Sequence, residues 1–389
     1  MILPKHFSHR SPPSKLIFGE GAIDRLAGEL EELGIKRPVL VAGTRTAAAR
    51  VFARTLAALS GLAIAQQTGM PEHSPIEHVR QLRDLARSHG ADGFVAIGGG
   101  SASDACKAAA LWMAEGGELE QHGSRFVPPD QFHAPPVPAP KLPIIAIPTT
   151  LSGAEVTGGG SVRTPDGRKI VLVDPKLCAR LVVIDPTASL EVPAPIFLAS
   201  GMNGLAHCIE GYYSRVRTPI TSALALEAMR MFMEALPAVA RDPGSAQARS
   251  QALVAAHLGG QVLVNARSGI HHATCHCLGA AAGVSHGDAN SIMLPHAMEF
   301  NRADPAAQAD LAECAAALGA RESSADAAIE RVRWLQHEIG VPTRLRDRGV
   351  PRAVLAQVAA GVMAEKGLYF NPRRVAGAQD VLPMLEAAW

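Results

Sequence analysis

Apolar runs and amphipathic stretches alternate along the first half of the chain. Three nearly continuous apolar runs, each bounded by Gly or Pro, are typical of parallel strands buried on both faces: 38–43, 93–100 and 141–150. Four stretches between and around them carry apolar residues at helical spacing: 22–34, 46–59, 74–90 and 103–116. This alternation predicts an α/β domain over residues 1–186, with a doubly wound, Rossmann-like parallel sheet.

Local signals refine these elements. Ser74 and Pro75 are predicted to open the helix at 74–90, and Gly90 to close it. The segment 127–143 is so rich in Pro that we predict an exposed loop containing neither strand nor helix.

The pattern changes after the apolar run at 181–186. Successive Ala- and Leu-rich amphipathic stretches follow, with no strand-like interruption between them. The sequence therefore predicts a second, all-α domain over residues 187–389.

Composition narrows the class of protein and its partners. Hydrophobic residues make up 48% of the 389 residues and charged residues 19%, which suits a soluble enzyme with a large core. The net charge of +1 gives no reason to expect a nucleic acid or an anionic membrane as a partner. The first residues lack the apolar stretch of a secretory signal, and the six Cys show no disulfide spacing, so we expect a cytoplasmic protein with reduced thiols.

A glycine-rich loop ends the second apolar run. Gly99, Gly100 and Ser101 lie where a strand should turn into a helix, and Asp104 follows on that helix. Such a loop lets the backbone approach a pyrophosphate, and the helix offers unpaired N–H groups. On its own the motif is weak, and it lacks the G-x-G-x-x-G order.

Two further strand ends strengthen the prediction of a dinucleotide site. Thr149 and Thr150 end the run at 141–150, and in an open sheet ligands bind at such strand ends. Thr44 follows the first run where many NAD-selective enzymes carry an acidic residue, and Arg45 comes next. We therefore expect NADPH to be accepted beside NADH, although Arg45 could equally be an ordinary surface residue.

Histidines gather in the second half of the chain. If residues 269–280 are helical, His272 and His276 stand on one face, with His271 and Cys277 directed elsewhere. His286 follows a short loop and could return to the same pocket. A C-x-C spacing is wrong for a structural zinc site, so a functional histidine pocket is the better interpretation.

These motifs resemble the group III, iron-containing alcohol dehydrogenases. The segments GGGSASDACK, IPTT and SHGDANSIMLPHAMEFN are similar to that family's motifs, in the same order along the chain. The resemblance implies the dehydroquinate synthase-like fold of that family. It also implies a metal site of one Asp and three His, which by motif fall on Asn203, His207, His272 and His286. His276 would lie near the substrate.

The departures from the family pattern resemble its maleylacetate reductase branch. Asn203 stands at the metal-binding Asp position, GIHHATCHCLG carries a double His, and FNPRRV is similar to that branch's C-terminal motif. The resemblance implies reduction of maleylacetate to 3-oxoadipate with NADH or NADPH, in the breakdown of aromatic compounds. It further implies a homodimer, a small carboxylated substrate and no metal.

The chemistry of Asn203 agrees with this interpretation. Three neutral imidazoles without an anionic ligand bind Fe²⁺ poorly, although zinc accepts three His in some catalytic sites. Our hypothesis is that the imidazoles of His207, His272 and His286 become protonated and stabilise an enolate oxygen. His276 would donate a proton, and Lys169, in the turn at 164–169, would reach the cofactor or a substrate carboxylate.

Arg373 is either a second carboxylate clamp or a solvated surface charge. Three other functions stay open at this point. They are a metal-dependent alcohol dehydrogenase acting on a small alcohol or aldehyde, a dehydroquinate synthase-like lyase, and a binding protein that has lost its chemistry.

Overall fold

Residues 6–127 and 131–389 are described by a computed structural model of the chain. The chain folds into two compact units. The first, here called the α/β unit, comprises Ser11–Arg125 and His133–Val192, and the second, the helical unit, is built mainly from Pro193–Trp389.

The α/β unit is organised around one parallel sheet of six strands. These strands are β1 (Lys15–Phe18), β2 (Pro38–Ala42), β3 (Ala65–Gln67), β4 (Gly93–Gly98), β7 (Ile144–Pro148) and β10 (Leu181–Ile184). Their order across the sheet is β1-β10-β7-β4-β2-β3, and every recorded pairing is parallel. The helices of this part of the chain are α1 (Leu26–Glu32), α2 (Thr44–Ala48), α3 (Arg50–Ala58), α4 (Ile76–His89) and α5 (Gly100–Glu115).

Both faces of this sheet are covered, which explains the unbroken apolar runs. In β2, Val39 and Val41 belong to one hydrophobic cluster, whereas Leu40 and Ala42 belong to another. Successive residues of a strand point to opposite faces, so a strand between two helical layers needs an apolar residue at every position. The predicted α/β architecture is confirmed.

Four further strands lie outside the main sheet. They are β5 (Arg125–Val127), paired with β6 (Gln131–His133), and β8 (Gly159–Arg163), paired antiparallel with β9 (Lys169–Val173). The strand β6 corrects the prediction that 127–143 contains no strand, since a short strand needs only backbone pairing and local Pro content does not forbid it. Positions 128–130 of that predicted loop lie outside the described residues.

Two helix predictions are also corrected. The stretch 46–59 is not one helix, because Ala49 is extended between α2 and α3, and the N–H of Arg50 donates to Glu191 at 2.6 Å. Ser74 does not cap α4, which begins at Ile76; its hydroxyl donates to the carbonyl of Ser101 at 2.8 Å. Both departures depend on partners distant in sequence. Gly90 ends α4 in the left-handed conformation, as predicted.

The helical unit contains α6 (Ala194–Tyr213), α7 (Pro219–Arg241), α8 (Ala246–Ala266), α9 (Ile270–Ala282), α10 (His286–Arg302), α11 (Pro305–Ala317), α12 (Ala325–Glu338), α13 (Leu355–Val362), α14 (Gly367–Phe370) and α15 (Ala378–Ala388). One of its hydrophobic clusters is built from α9, α10, α13 and α15. The helices α9 and α10 are thus fixed by a shared hydrophobic cluster, and both carry histidines of the predicted pocket. No helix among the described residues is long and apolar enough to cross a membrane.

Candidate active site

Three neighbouring strands bring the predicted cofactor-binding residues to one edge of the sheet. Thr44 follows β2, Gly99 follows β4, and Thr149 follows β7, and these three strands are adjacent in the order β7-β4-β2. The N–H of Thr149 donates to the carbonyl of Gly98 at 3.0 Å. The carboxyl ends of parallel strands are the usual ligand-binding edge of such a sheet.

The glycine loop has little space for side chains. Gly98 has φ +130°, which L side chains rarely adopt, and a Cβ there would lie 3.2 Å from Oγ1 of Thr46. A Cβ on Gly99 would lie 3.1 Å from Oγ1 of Thr150. The loop leads into α5, a helix of 16 residues with no side-chain cap at its N-terminus. This arrangement fits a diphosphate, which backbone N–H groups at a helix N-terminus can bind.

Two residues of this region have structural partners. The carboxylate of Asp104 accepts hydrogen bonds from the N–H and hydroxyl of Ser161, at 3.0 and 3.1 Å. Buried Lys107 donates to the carbonyls of Ala154 and Gly159, at 2.6 and 2.7 Å, and burial lowers the pKa of its ammonium. Asp104 therefore holds β8 against α5, and a contact with cofactor stays a prediction.

Ser101 contacts a turn of uncommon backbone conformation, which the sequence did not indicate. Its hydroxyl accepts a hydrogen bond from the N–H of His73 at 3.2 Å. His73 and Ser74 both have positive φ, 64° and 47°, which is uncommon for residues other than Gly. The hydrogen bonds to Ser101 hold this turn beside the glycine loop.

Lys169 lies in the α/β unit, whereas the predicted catalytic histidines belong to the helical unit. It is the exposed first residue of β9 and is paired in register with Arg163 on β8. Burial, followed by the charges of Lys169 and Arg163, lowers the pKa of His73. This end of the hairpin is therefore a positive surface.

The four predicted histidines come together in the helical unit. The ring centroids of His207 and His272 are 4.7 Å apart and stacked, and those of His276 and His286 are 5.8 Å apart and stacked. The ring of His272 is 6.3 Å from His276 and 6.0 Å from His286. The helix α9 places His272 and His276 one turn apart, as its periodicity indicated.

Asn203 lies in the same cluster, one helical turn before His207 on α6. Its side-chain oxygen is 2.9 Å from Nε2 of His272. Asn203, His207 and His272 are each only 4% exposed, so their polar atoms are shielded from bulk water. The position at which the family pattern places a metal-binding Asp thus holds a buried amide hydrogen-bonded to a ring nitrogen.

A carboxylate that sequence reasoning missed lies on the other side of His272. Glu210 contacts Nδ1 of His272, and it accepts hydrogen bonds from the N–H groups of Gly269 and His271, at 2.8 and 3.0 Å. The spacing of Asn203, His207 and Glu210 is helical, so the three could have been assigned to one face from the sequence. Glu210 orients His272 and satisfies the first N–H groups of α9.

His271 also belongs to this network, which corrects the expectation that it is directed elsewhere. Its Nδ1 is 3.6 Å from Glu210, and its Nε2 is 3.1 Å from the carbonyl of Asn290. Burial lowers the pKa of His271, but the contacts with Cys275 and Glu210 outweigh it and raise the pKa to about 10. The ring of His271 is thus a charged partner of Glu210.

Burial acts on the pKa values of His207 and Glu210 in opposite directions. It lowers the pKa of His207 well below its ordinary value, and the neighbouring His272 lowers it further. Burial would raise the pKa of Glu210, but His272 and His271 outweigh it and hold that pKa well below the ordinary range. His207 is therefore neutral near pH 7, so the positive charge we expected on it is absent, although a neutral imidazole still offers one N–H donor.

Two residues near the C-terminus hold helices of the cluster: Asn371 holds α9 and Arg373 holds α10. Asn371 accepts a hydrogen bond from the N–H of Ile270 at 3.1 Å. Arg373 donates to the carbonyl of Phe300 at 2.8 Å, and its guanidinium lies 4.0 Å from the centre of that ring. Arg373 is thus partly buried structural support, which corrects the expectation of a solvated charge.

The donor set fits an iron ion poorly. Asn203 supplies a neutral amide, and the nearest carboxylate, Glu210, already accepts from two backbone N–H groups and contacts Nδ1 of His272. Ligand atoms of Glu210, His271 and His272 do lie within 4.8 Å of one another. An ion bound by Glu210, His271 and His272 would replace the hydrogen bonds that hold α9. Zinc, however, still accepts neutral imidazoles as its ligands.

Comparison with known proteins places this geometry in a family. Residues 13–186 match the model of iron-containing alcohol dehydrogenases, and residues 197–389 match the C-terminal model of the same family. The chain is 31% identical to the maleylacetate reductase of Sphingobium indicum, over 93% of this chain and 92% of that protein.

Solved structures agree. A 1,3-propanediol oxidoreductase has a TM-score of 0.90 at 26% identity, covering 99% of this chain and 100% of that one. The maleylacetate reductase of Rhizobium sp. strain MTP-10005 has a TM-score of 0.81 at 28% identity, covering 99% of each chain. The chain is an oxidoreductase and belongs to the iron-containing alcohol dehydrogenase family.

Proposed function

We propose that this protein is an NAD(P)H-dependent reductase that converts maleylacetate to 3-oxoadipate, or that reduces a closely related carboxylated oxo-acid to its own saturated product. The observation that carries the proposal is the 2.9 Å contact between Asn203 and Nε2 of His272, which puts an amide where a metal-binding carboxylate would stand. The similarity to the maleylacetate reductase of Sphingobium indicum supports the same substrate.

The cofactor is proposed to bind the glycine loop of the α/β unit. Reduced nicotinamide supplies the hydride when bound. Gly99, Gly100 and Ser101 hold the diphosphate with their backbone, and Thr149 and Thr150 border it. Thr44 approaches the adenosine ribose, and the neighbouring Arg45 can accept a 2′-phosphate, so both NADH and NADPH are expected to serve.

The histidine cluster stabilises the charge that hydride addition creates. The hydride and its electron pair add to one carbon of the substrate's activated C=C, and the displaced π electrons move to the conjugated carbonyl oxygen as an enolate. We propose that His207 and His286 direct N–H donors toward this oxygen, and that the Nε2–H of His272, which Asn203 accepts in the free protein, is shared with it. His276 then protonates the other carbon of the former C=C as the enolate returns to a carbonyl, so each turnover consumes one hydride and one proton.

We propose that no metal ion takes part in this reaction. Support comes from the neutral donor set around Asn203 and from the engagement of Glu210 with α9. Lys169 is proposed to bind the cofactor or a substrate carboxylate through its exposed ammonium. A homodimer, a cytoplasmic location and a role in the breakdown of aromatic compounds complete the proposal.

A spectrophotometric screen tests the function directly. Purified protein is mixed with NADH or NADPH and with maleylacetate or a panel of simple aldehydes, with and without a chelator. We expect cofactor oxidation with maleylacetate that the chelator leaves unchanged. Activity confined to aldehydes and abolished by the chelator would instead establish a metal-dependent alcohol dehydrogenase.

The variant His272→Ala tests the role of the cluster. We expect kcat to fall at least about 100-fold, the scale of an oxyanion-stabilising donor, while the Kd of the reduced cofactor changes less than about twofold. Unchanged turnover would remove His272 from the mechanism.

A further inference from the structure

His276 is paired with a carboxylate from a distant part of the chain. Its Nδ1 lies 3.0 Å from Oε2 of Glu365, which is 89 positions away in the sequence. The ring of His276 is also stacked on His286 at an interplanar angle of 19°. The orientation of this imidazole is thus fixed from two sides.

The turn that carries Glu365 is itself held in place. The N–H of Glu365 donates to the carbonyl of Val362 at 2.9 Å, and its carbonyl accepts from Leu368 at 3.2 Å. A Cβ on Gly367 would collide with the carbonyl of Gly269, at the N-terminus of α9. The close approach of these two glycine backbones fixes the turn against the helix that carries His276.

The pair repeats an arrangement found one helical turn earlier. Glu210 contacts Nδ1 of His272, and Glu365 contacts Nδ1 of His276. A carboxylate at Nδ1 keeps a hydrogen on that nitrogen and directs the opposite nitrogen, Nε2, away from the carboxylate. At His276, Nδ1 therefore keeps its hydrogen in both protonation states, and the proton given up in the reaction is carried on Nε2 of the imidazolium. Both histidines of α9 are therefore oriented in the same way.

We propose that Glu365 is a positioning residue that fixes the ring orientation and tautomer of His276. The inference rests on the proposed function, in which His276 supplies the proton. The side chains of His276 and Glu365 are 23% and 27% exposed, so their pairing contributes little to folding stability. Its effect is on geometry, because proton transfer requires a donor aligned within hydrogen-bonding distance.

Kinetic variants test the proposal. Glu365→Gln is expected to lower kcat about tenfold or more, while KM changes less than about threefold. This loss of kcat should be smaller than the roughly 10²- to 10⁴-fold rate factor that a general acid supplies. Glu365→Asp should recover part of kcat. In a His276→Asn background, Glu365→Gln should cause no further loss, because it acts through that ring.

The pair of His296 and Glu299 provides a matched control. The Nδ1 of His296 lies 3.7 Å from the carboxylate of Glu299, and both residues are on α10 outside the histidine cluster. Glu299→Gln should leave kcat unchanged. A Glu365→Gln enzyme with wild-type kcat, or one that loses activity equally with and without His276, would overturn the proposal.

The tautomer can be observed without any substrate. With ¹⁵N-labelled histidine, and the His276 signals assigned by their loss in His276→Asn, wild-type protein should show hydrogen on Nδ1. Glu365→Gln should shift this tautomer ratio, and Glu299→Gln should not. An unchanged ratio would refute the positioning role even if maleylacetate is the substrate, whereas a shifted ratio in a protein that does not reduce maleylacetate would reject only the substrate.

Discussion

The side-chain oxygen of Asn203 lies 2.9 Å from Nε2 of His272, a residue at a metal-binding position of the family pattern. Ligands placed tetrahedrally around zinc at about 2.1 Å would be about 3.4 Å apart. The direct contact is therefore that of a hydrogen bond. Glu210 holds the same ring from Nδ1, so both nitrogens of His272 are engaged by side chains.

Restoring the carboxylate should restore metal binding. In Asn203→Asp the site regains an anionic ligand beside three imidazoles, so we expect nearly one zinc or iron per chain after incubation with either ion. Wild-type protein should retain far less, as measured by elemental analysis. Asn265→Asp is the control, because Asn265 bonds the backbone of Arg10, away from the cluster, and should bind like wild type. Wild-type protein that retains nearly one ion per chain, as Asn203→Asp is expected to do, would contradict the metal-free proposal.

A single methyl group in the glycine loop should weaken cofactor binding. A Cβ on Gly100 would meet Ser152 and Ala154 at ordinary distances of 3.7 Å, so Gly100→Ala should fold normally. The methyl would occupy the surface proposed for the diphosphate, and we expect the Kd of NADH to rise about tenfold, or ~1.4 kcal/mol. Fluorescence titration measures this change. Gly61→Ala, where a Cβ meets nothing within 4 Å, should bind like wild type.

Cofactor preference should depend on Arg45. This side chain is exposed at the second position of α2, after the carboxyl end of β2. Arg45→Ala should raise the Kd of NADPH about tenfold, the scale of one charge-assisted hydrogen bond, and leave that of NADH nearly unchanged. Arg87→Ala, at an exposed position of α4, should affect neither. Equal effects on the two cofactors would exclude recognition of the 2′-phosphate by Arg45.

A buried carboxyl group in the α/β unit should make stability depend on pH. Burial raises the pKa of Glu155 from 4.5 to about 6, although Lys107 opposes this. Because the folded-state pKa is the higher one, its contribution to stability is fully present below pH 4.5 and is lost as the pH rises through about 6. The loss amounts to about 2 kcal/mol.

Glu155→Gln should remove this pH dependence. Between pH 4.5 and 7, its free energy of unfolding relative to wild type should increase by about 2 kcal/mol, as followed by urea denaturation. Glu77→Gln serves as the control, since Glu77 is exposed on α4 and pairs with Arg80. A constant difference between Glu155→Gln and wild type across this range would show that burial does not raise the pKa of Glu155.

Several features followed from the sequence because they depend on neighbours in the chain. A strand buried on both faces must be apolar throughout, and β2 shows this. Gly98, Gly99 and Gly100 lie where a strand turns into a helix. Two histidines four residues apart on a helix share a face. The α/β and helical architecture could therefore be predicted from local patterns, whereas the grouping of His207 with His272 was implied only by the family resemblance.

The sequence by itself determined the class of fold, the loop suited to a diphosphate and the amide at position 203. Only the tertiary structure decided which atoms these groups meet. Glu210 reaches His272 across 62 positions and Glu365 reaches His276 across 89, and no local pattern encodes such pairs. The charge states of His207 and His271 were decided by folding as well, because the pKa of a buried ring depends on its lost hydration and on partners supplied by other helices.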